Sequence, residues 1–335
     1  KPASATNASL GNKGGWEATG YDYRDTSIEG FPCLHEFQVG GIVLMPTTGE
    51  LKTVPGAVNS NGEGYRSEFD HKDEIARPGY YSVLLKDYQV KAELTATKRV
   101  AYQRFTFPEG KQSHILFDIG NRQGESGEAQ DAEVVITDEG LIEGWVETLP
   151  LYCNKYQKGA TVKMYFSASL DKKPVRVGTF RKKEIFEDQK QVKGVGAGAY
   201  LTFETSENEA VTAKVGLSYT SVDNARLNRE IETDNDSLSF DDVKLAAAQT
   251  WEEYLGRIRV ESSSKDDKVK FYTGLYHAIL GRGLASDVNG AYPKNDGTVG
   301  QLPLNADGTP EFTFYNTDAI WGGQWNLVQL WAMVY

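Results

Sequence analysis

Cysteine is scarce in this chain: Cys33 and Cys153 are the only two among 335 residues. No CxxC pair and no Cys/His spacing of a zinc site occurs. The two thiols either form one disulfide or stay free, so the redox compartment is not legible from them. Long apolar runs are also lacking. No stretch approaches the ~20 apolar residues that a membrane-spanning helix needs. Positive charge is in deficit, with 36 Lys and Arg against 47 Asp and Glu and a net charge of −11, which argues against a nucleic-acid backbone as partner. The acidic residues are dispersed rather than gathered in a tail, as on an ordinary solvated surface. An initial Met and an apolar leader are missing from the Lys1-Pro-Ala-Ser-Ala-Thr6 start. Either a signal segment has been removed or the chain is a piece of a longer protein. The helical pattern still running at Tyr335 favours a piece.

What is abundant is the short β-run. Residues 1–20 are small and polar and read as loop, with Trp16 alone in a glycine-rich setting. That tryptophan is either a plug over a core or a platform for a ligand. From Tyr21 to about Thr233 short apolar or alternating runs follow one another. They include Gly40–Met45 (ended by Pro46), Gly79–Leu85, Val90–Thr97, Ala101–Phe107, His114–Ile119, Ala132–Thr137, Leu141–Thr148, Thr161–Leu170, Val175–Phe180, Ala199–Glu204 and Val211–Tyr219. Many short strands at fairly even spacing, with little helical periodicity between them, predict a large antiparallel β-sandwich. Gly194-Val-Gly-Ala-Gly198 precedes a strand rather than a helix, so it reads as a hairpin and not a phosphate loop. Asp287–Gly290, Asn295–Gly297 and Asn305–Gly308 lack the closing acidic residue of an EF-hand loop and read as turns.

At Ser237–Phe240 the period changes to that of a helix. Ser239 and Asp242 form a capping-box signature, and Val243, Ala246, Ala247, Thr250, Trp251, Tyr254, Leu255 and Ile258 share one face. After Ser262-Ser-Ser264 a second helix opens at Asp266-Asp267 and runs through Val269, Tyr272, Leu275, Tyr276 and Ile279. A glycine- and asparagine-rich loop then leads to the aromatic entry Phe312, Phe314 and Tyr315. Beyond it Asn316 or Thr317 can cap a last helix, with Asp318 in its first turn. Ile320, Gln324, Leu327, Val328, Trp331 and Val334 recur at helical spacing. Gly322 and Gly323 interrupt this pattern, each at a cost of about 1 kcal/mol relative to Ala. With Trp321 and Trp325 beside them, they form either a close helix–helix contact or a sugar-stacking floor. The aromatic content of 11% suits a carbohydrate binder and equally suits a large β-domain.

Taken together, several blocks resemble glycoside hydrolase family 92. These are Gly20–Phe31 with its Ile28-Glu-Gly-Phe31 step, His35, Gly41-Ile-Val-Leu-Met-Pro46, and Ser218-Tyr-Thr-Ser-Val-Asp-Asn-Ala-Arg-Leu-Asn-Arg-Glu230. Trp251–Ile258, Phe271–His277, Ser286–Tyr292 and Ala319-Ile-Trp321 follow in family order. The resemblance implies an exo-acting, calcium-dependent, inverting α-mannosidase acting on α-mannose-containing glycans outside the cytoplasm (periplasm, cell surface or medium). It implies a β-sandwich (supersandwich) over residues 1–236, a linking helix over 237–264, and the first helices of an (α/α)6 barrel over 265–335. The catalytic acid and base, and the calcium ligands, are expected beyond this chain, which alone is expected to be inactive. Trp16 matches a family tryptophan lining the sugar site, and Trp321 matches the tryptophan under the terminal mannose in the motif S-L-W-D-T-Y-R. Here Gly322 stands at the family's sugar-binding aspartate and Trp325 at its arginine, while Asp318 and Gln324 could substitute for the lost polar clamp. A non-catalytic or altered-specificity glycan-binding relative is the alternative reading.

Overall fold

A computed structural model describes residues 6–7, 23, 26–33, 35–36, 39–40, 42–56, 62–120, 129–149, 157–280, 283–315 and 326–335. Two large antiparallel sheets dominate it. The first has eight strands. Across the sheet lie Thr6–Asn7, Ser27–Pro32, Val43–Thr48, Gly110–Asp118, Ala197–Thr205, Arg176–Arg181 and Glu184–Glu187, with Ser67–Glu68 also paired to Ser27–Pro32. The second has nine: Gln191–Lys193, Ala129–Ile136, Ile142–Thr148, Val162–Leu170, Glu209–Ser218, Val100–Phe107, Val90–Ala96, Tyr80–Leu85 and Ile75–Arg77. Every strand expected from alternation is present.

The interior lies between the sheets. Phe117 of the first sheet stacks on Phe166 of the second at 6.3 Å, and Phe31 meets Phe105 at 6.1 Å in a tilted pair. All four rings are fully buried. Aromatic pairs at such offsets add roughly 0.5–1.5 kcal/mol beyond the area they bury. Three local expectations change. The strand at Val43 continues through Pro46 to Thr48, because its pairing with Ser27–Pro32 stops at Leu44 and leaves that side of the strand open. Thr6–Asn7 is an edge strand rather than loop. The Gly194–Gly198 stretch is a corner between sheets, not a hairpin, since Gln191–Lys193 and Ala197–Thr205 belong to different sheets. Gly120 makes that corner possible: a Cβ there would lie 2.4 Å from the Gly196 nitrogen.

Helix α1 (Val222–Glu232) was not legible from apolar spacing. Ser221 caps it by accepting from the Asn224 N–H, and Asp223 occupies its first turn. Its buried positions are Ala225, Asn228 and Arg229, so its inner face is largely polar. The helix lies on the outer side of the second sheet where Gly216 leaves room: a Cβ there would meet the Ala225 carbonyl oxygen at 2.3 Å and Arg229 Cβ at 2.7 Å. Arg229 pairs with Asp236, which also accepts from Ser169 Oγ. Asp234, Asn235 and Asp236 are all left-handed (φ 49°, 51° and 67°), a conformation that Asn and Asp tolerate better than most residues. The pair of buried Arg229 and half-buried Asp236 holds this turn, which hands the chain to the next helix.

Helix α2 (Phe240–Leu255) starts with the expected capping box at Ser239 and Asp242. It docks on the sheet through Phe240 and Val243 against Val100 and Tyr102. The Arg104 guanidinium lies 4.2 Å from the Phe240 ring centroid and bridges Glu93 and Asp241. The docked stripe is narrower than expected, since Ala246, Thr250 and Tyr254 are exposed. Helix α3 (Lys265–Ile279), capped by Ser264, buries Leu275, while Val269 is 54% exposed. Helix α4 (Leu327–Val334) begins at the left-handed Asn326. It rests on its predecessors: Trp331 Nε1 donates to the Ala278 carbonyl (3.1 Å), and Tyr335 stacks on Tyr254. Val328, expected on the inner face, is 55% exposed.

At the other end of the chain, His71 anchors Tyr23. Its Nε2 lies 2.7 Å from the Tyr23 carbonyl oxygen and its Nδ1 lies 2.8 Å from Glu74 Oε2. Both neighbours are acceptors, so the pair of bonds is complete only in the imidazolium. The Glu74 hydrogen bond holds the His71 pKa above its ordinary value, against the opposing effect of burial, and the Tyr23 carbonyl and the Asp70 charge add to the rise. Tyr23 stacks on the ring at 4.1 Å, and Phe69 meets it edge-on.

Two outcomes are expected. Gly216→Ala should lower stability by about 1–3 kcal/mol by forcing α1 off the sheet, read from the urea midpoint. An unchanged midpoint would show that α1 is not packed there. For His71 the folded pKa is raised, so its stabilising contribution is complete below the unfolded imidazole range and is lost as pH rises through the folded value. The thermal stability of the wild type relative to His71→Gln should therefore shrink with rising pH. A difference constant between about pH 5.5 and 8.5 would refute the imidazolium anchor.

Candidate functional site

The outer end of the second sheet, helix α1 and the loop 283–291 converge on one carboxylate. Asp287 is 2% exposed, and each of its oxygens accepts from a neutral donor. Oδ2 takes the hydroxyls of Ser218 (3.0 Å) and Thr220 (2.5 Å), and Oδ1 takes Asn228 Nδ2 (2.7 Å). Burial pushes the Asp287 pKa up, and the bonds from Thr220, Asn228 and Ser218 together with the Arg99 charge oppose that rise without cancelling it. Local sequence explains the convergence. Ser218 ends its strand, Thr220 precedes the helix cap, and Asn228 lies one turn along on the face that also carries Ala225.

The same helix stitches the loop in place at two further points. Asn228 Oδ1 accepts from the Val288 N–H (2.9 Å), and Asn289 Nδ2 donates to Asn224 Oδ1 (2.9 Å). Arg99, from the turn before Val100–Phe107, pairs with Glu232 (2.7 Å) and gives its Nε–H to the Ser286 carbonyl (2.7 Å). A cavity of about 40 Å³ lies against Arg99, Met164, Leu217, Leu284 and Asp287. That is room for about one water molecule and far too little for a sugar ring.

The loop in turn holds the aromatic entry. Leu284 pairs with Tyr315, the Ala285 N–H donates to the Phe314 carbonyl (3.0 Å), and the Phe314 N–H donates to Ser286 Oγ (3.1 Å). Tyr292 lies against the Phe314 ring at 4.9 Å. The turns expected at Asp287–Gly290, Asn295–Gly297 and Asn305–Gly308 are present, closed by Gly290 N–H to Asp287 O, Gly297 N–H to Lys294 O and Gly308 N–H to Asn305 O.

Trp16, Asp318, Trp321, Gly322 and Gln324, the site residues expected from sequence, all lie outside the described residues, as do Trp325 and Cys153. Cys33 is a buried free thiol whose pKa burial pushes up, which makes it unreactive. The chain is described up to Tyr315 and again from Asn326, on either side of the Trp321 stretch. Sequence reasoning missed the Asp287 node. The available signal was Asn224 and Asn228 where a helix docked on a sheet ordinarily shows apolar residues, with Ser218 and Thr220 just before it. Among the described residues no group of three or more His, Cys, Asp or Glu side chains is arranged to hold a metal ion.

Comparison with known proteins places this architecture. The chain is 26% identical to an uncharacterized secreted glycosidase of Arthroderma benhamiae, over 78% of this chain and 36% of that protein. It superposes on a family GH92 α-mannosidase of Bacteroides thetaiotaomicron, solved alone and with mannoimidazole, with a TM-score of 0.81 at 28% identity over 92% of this chain. Another GH92 glycosyl hydrolase superposes with a TM-score of 0.73 at 27% identity over 90% of this chain. The chain spans about 40% of the length of these solved relatives. The model of the glycosyl hydrolase family 92 N-terminal domain matches residues 2–218, and that of the family's catalytic domain matches residues 224–335. The two-sheet sandwich, the helices that follow it and these matches make the chain a member of glycosyl hydrolase family 92.

Proposed function

We propose that the protein to which this chain belongs is an exo-acting, inverting α-mannosidase that trims α-mannose from glycans outside the cytoplasm. The observation that carries this reading is the superposition of 92% of the chain on an α-mannosidase at 28% identity, sandwich and first helices together. Inversion requires a protonated carboxylic acid at the glycosidic oxygen and a carboxylate base on a water opposite, roughly 6.5–9.5 Å apart. In this reading both carboxyls belong to the part of the protein that the present chain does not cover. Calcium belongs there too in this reading, since among the described residues no group of three or more acidic, His or Cys side chains is arranged to hold a metal ion. The present chain supplies the sandwich side of the sugar site, with Trp16 and Trp321 as stacking faces, Asp318 and Gln324 as polar groups nearby, and residues 265–335 as the start of the barrel. Secretion of the Arthroderma benhamiae relative supports an extracytoplasmic location.

A second reading is favoured by one specific observation. Gly322 and Trp325 stand where the family motif carries an aspartate and an arginine that grip sugar hydroxyls. A site without them is suited to a different sugar or to binding without turnover, because specificity for a hydroxylated ligand depends on such buried polar partners.

The full-length protein should hydrolyse an aryl α-mannoside and α-linked mannobioses, and a chelator should abolish turnover until calcium is restored. Turnover unaffected by complete calcium removal would sink the metal-dependent mechanism. Glycan binding without hydrolysis of any α-mannoside would establish the second reading instead. Trp321→Ala should reduce kcat/KM by about tenfold or more with little change in stability. Unchanged kcat/KM in the folded variant would make Trp321 a packing residue.

A further inference from the structure

The outer face of the second sheet carries a row of side chains that the junction with α1 does not use. Register sets them opposite one another in turn: Lys193 faces Glu133, Glu133 faces Trp145, and Trp145 faces Tyr165, so all four share that face. Trp145 and Tyr165 are only half-buried. Trp145 Nε1 donates to Glu133 Oε2 (3.0 Å), and Gln191 Nε2 donates to Glu133 Oε1 (2.8 Å). Glu133, Gln191 and Lys193 also line an open cleft of about 620 Å³, together with Phe186 and Val192. The cleft lies between Gln191–Lys193 of the second sheet and Glu184–Glu187 of the first. Its volume falls within the range of about 300–1,000 Å³ usual for ligand sites. We propose that Trp145, the Glu133–Gln191 pair and the adjoining cleft form a binding site for a neutral glycan chain.

Three features set the class of ligand. Neighbouring aromatic rings on an open sheet face offer apolar area to the C–H side of a sugar ring, while the indole N–H is already satisfied by Glu133. Sugar hydroxyls both donate and accept, and the polar pair beside the ring can answer both. Glu133 has taken one N–H on each oxygen and still accepts, and Gln191 keeps an N–H and its carbonyl oxygen. The charges are balanced, which removes the attraction a polyanion needs. Arg181, Lys190, Lys193 and Lys163, which line the cleft or cover Trp145, each face a carboxylate: Glu184 (3.4 Å), Asp138 (2.7 Å), Asp131 (3.7 Å) and Glu147 (3.8 Å). Glu133 adds a further negative charge. Lys163 Nζ lies 4.0 Å from the Trp145 ring centroid and Lys193 Nζ 5.2 Å, contacts that steady the ring in the free protein. These two lysines are 37% and 57% exposed and their ion pairs are long, so a sugar ring displaces them at little cost.

The choice of α-mannan as the first probe rests on the α-mannosidase reading, and the site itself does not. The full-length protein is run in native gels containing α-mannan, a soluble neutral β-glucan or dextran sulfate, and dissociation constants are taken from the retardation. Wild type should be retarded by α-mannan, and Trp145→Ala should bind it about tenfold more weakly, as for truncation of a buried aromatic anchor. Gln191→Ala, at an exposed edge position, leaves the ring in place and should weaken binding roughly threefold through the lost hydrogen bonds. Thermal unfolding of each variant checks that it is folded. Unchanged affinity for both neutral polymers in a folded Trp145→Ala overturns the proposal, and where that variant does not fold, unchanged affinity in Gln191→Ala does so. A wild type that ignores both neutral polymers overturns it too, as does Trp145-dependent retardation by dextran sulfate alone. Trp145-dependent binding of the β-glucan alone supports the site and separates it from the α-mannosidase reading. Binding is read without turnover, so a wild type inactive on every α-mannoside refutes that reading while the gel comparison still decides the role of Trp145.

Discussion

A sandwich spends its apolar residues between its own two sheets, and everything that docks on the outside must do so by other means. Phe31, Phe105, Phe117 and Phe166 are all turned inward here, and the outer surface of the second sheet carries groups such as Lys214, Glu93 and Glu143. Helix α1 and the loop 283–291 are therefore held by hydrogen bonds and ion pairs more than by apolar contact. Such contacts are directional. Each donor must find its acceptor or incur a desolvation cost of about 1–3 kcal/mol, which makes this junction specific in geometry whatever it adds to stability.

The charged pairs at the junction follow the same logic. Arg229 with Asp236, Arg226 with Glu143 and Arg99 with Glu232 each join a residue of α1, or of the turn after it, to a neighbour that must be placed correctly. Taking two charges out of water offsets much of their attraction, so such pairs are weak evidence of stability and better understood as register devices. The three consecutive left-handed residues after α1 illustrate this. Their conformation is unfavourable in isolation, and it persists because Arg229, Ser169 and Lys214 all bond to Asp236.

Helices α2 to α4 present the opposite case. Leu245, Val269, Val328 and Met333 are exposed on them. The anchoring that is present is aromatic and local: Phe240 in a small cluster with Val100, Tyr102 and Val243, Trp331 on α3, Tyr335 on Tyr254. The solved relatives that share this arrangement are a little over twice as long as the present chain, since 92% of it covers 40% of them. The sandwich has a complete interior of its own, while the helices show only a narrow buried stripe.

Amino-acid pattern alone determined most of the long strands, because period-two alternation reports directly which side of a sheet is buried, though not Ser27–Pro32 or the short edge pieces such as Thr6–Asn7, and it determined α2 and α3, whose Ser239 and Ser264 caps and apolar faces are local features. It also carried the family, whose blocks are short runs of contiguous residues. Tertiary structure alone revealed α1, since Asn228 and Arg229 on its inner face defeat any test for apolar spacing. It alone placed Gly194–Gly198 at a corner between sheets, because a turn looks the same whether its strands pair with each other or part. The Asp287 node is the clearest instance. In sequence Ser218, Thr220, Asn228 and Asp287 are four ordinary polar residues spread over 70 positions, and Asp287 reads as the start of a turn. Only the packing of α1 on Gly216 brings three donors around one carboxylate.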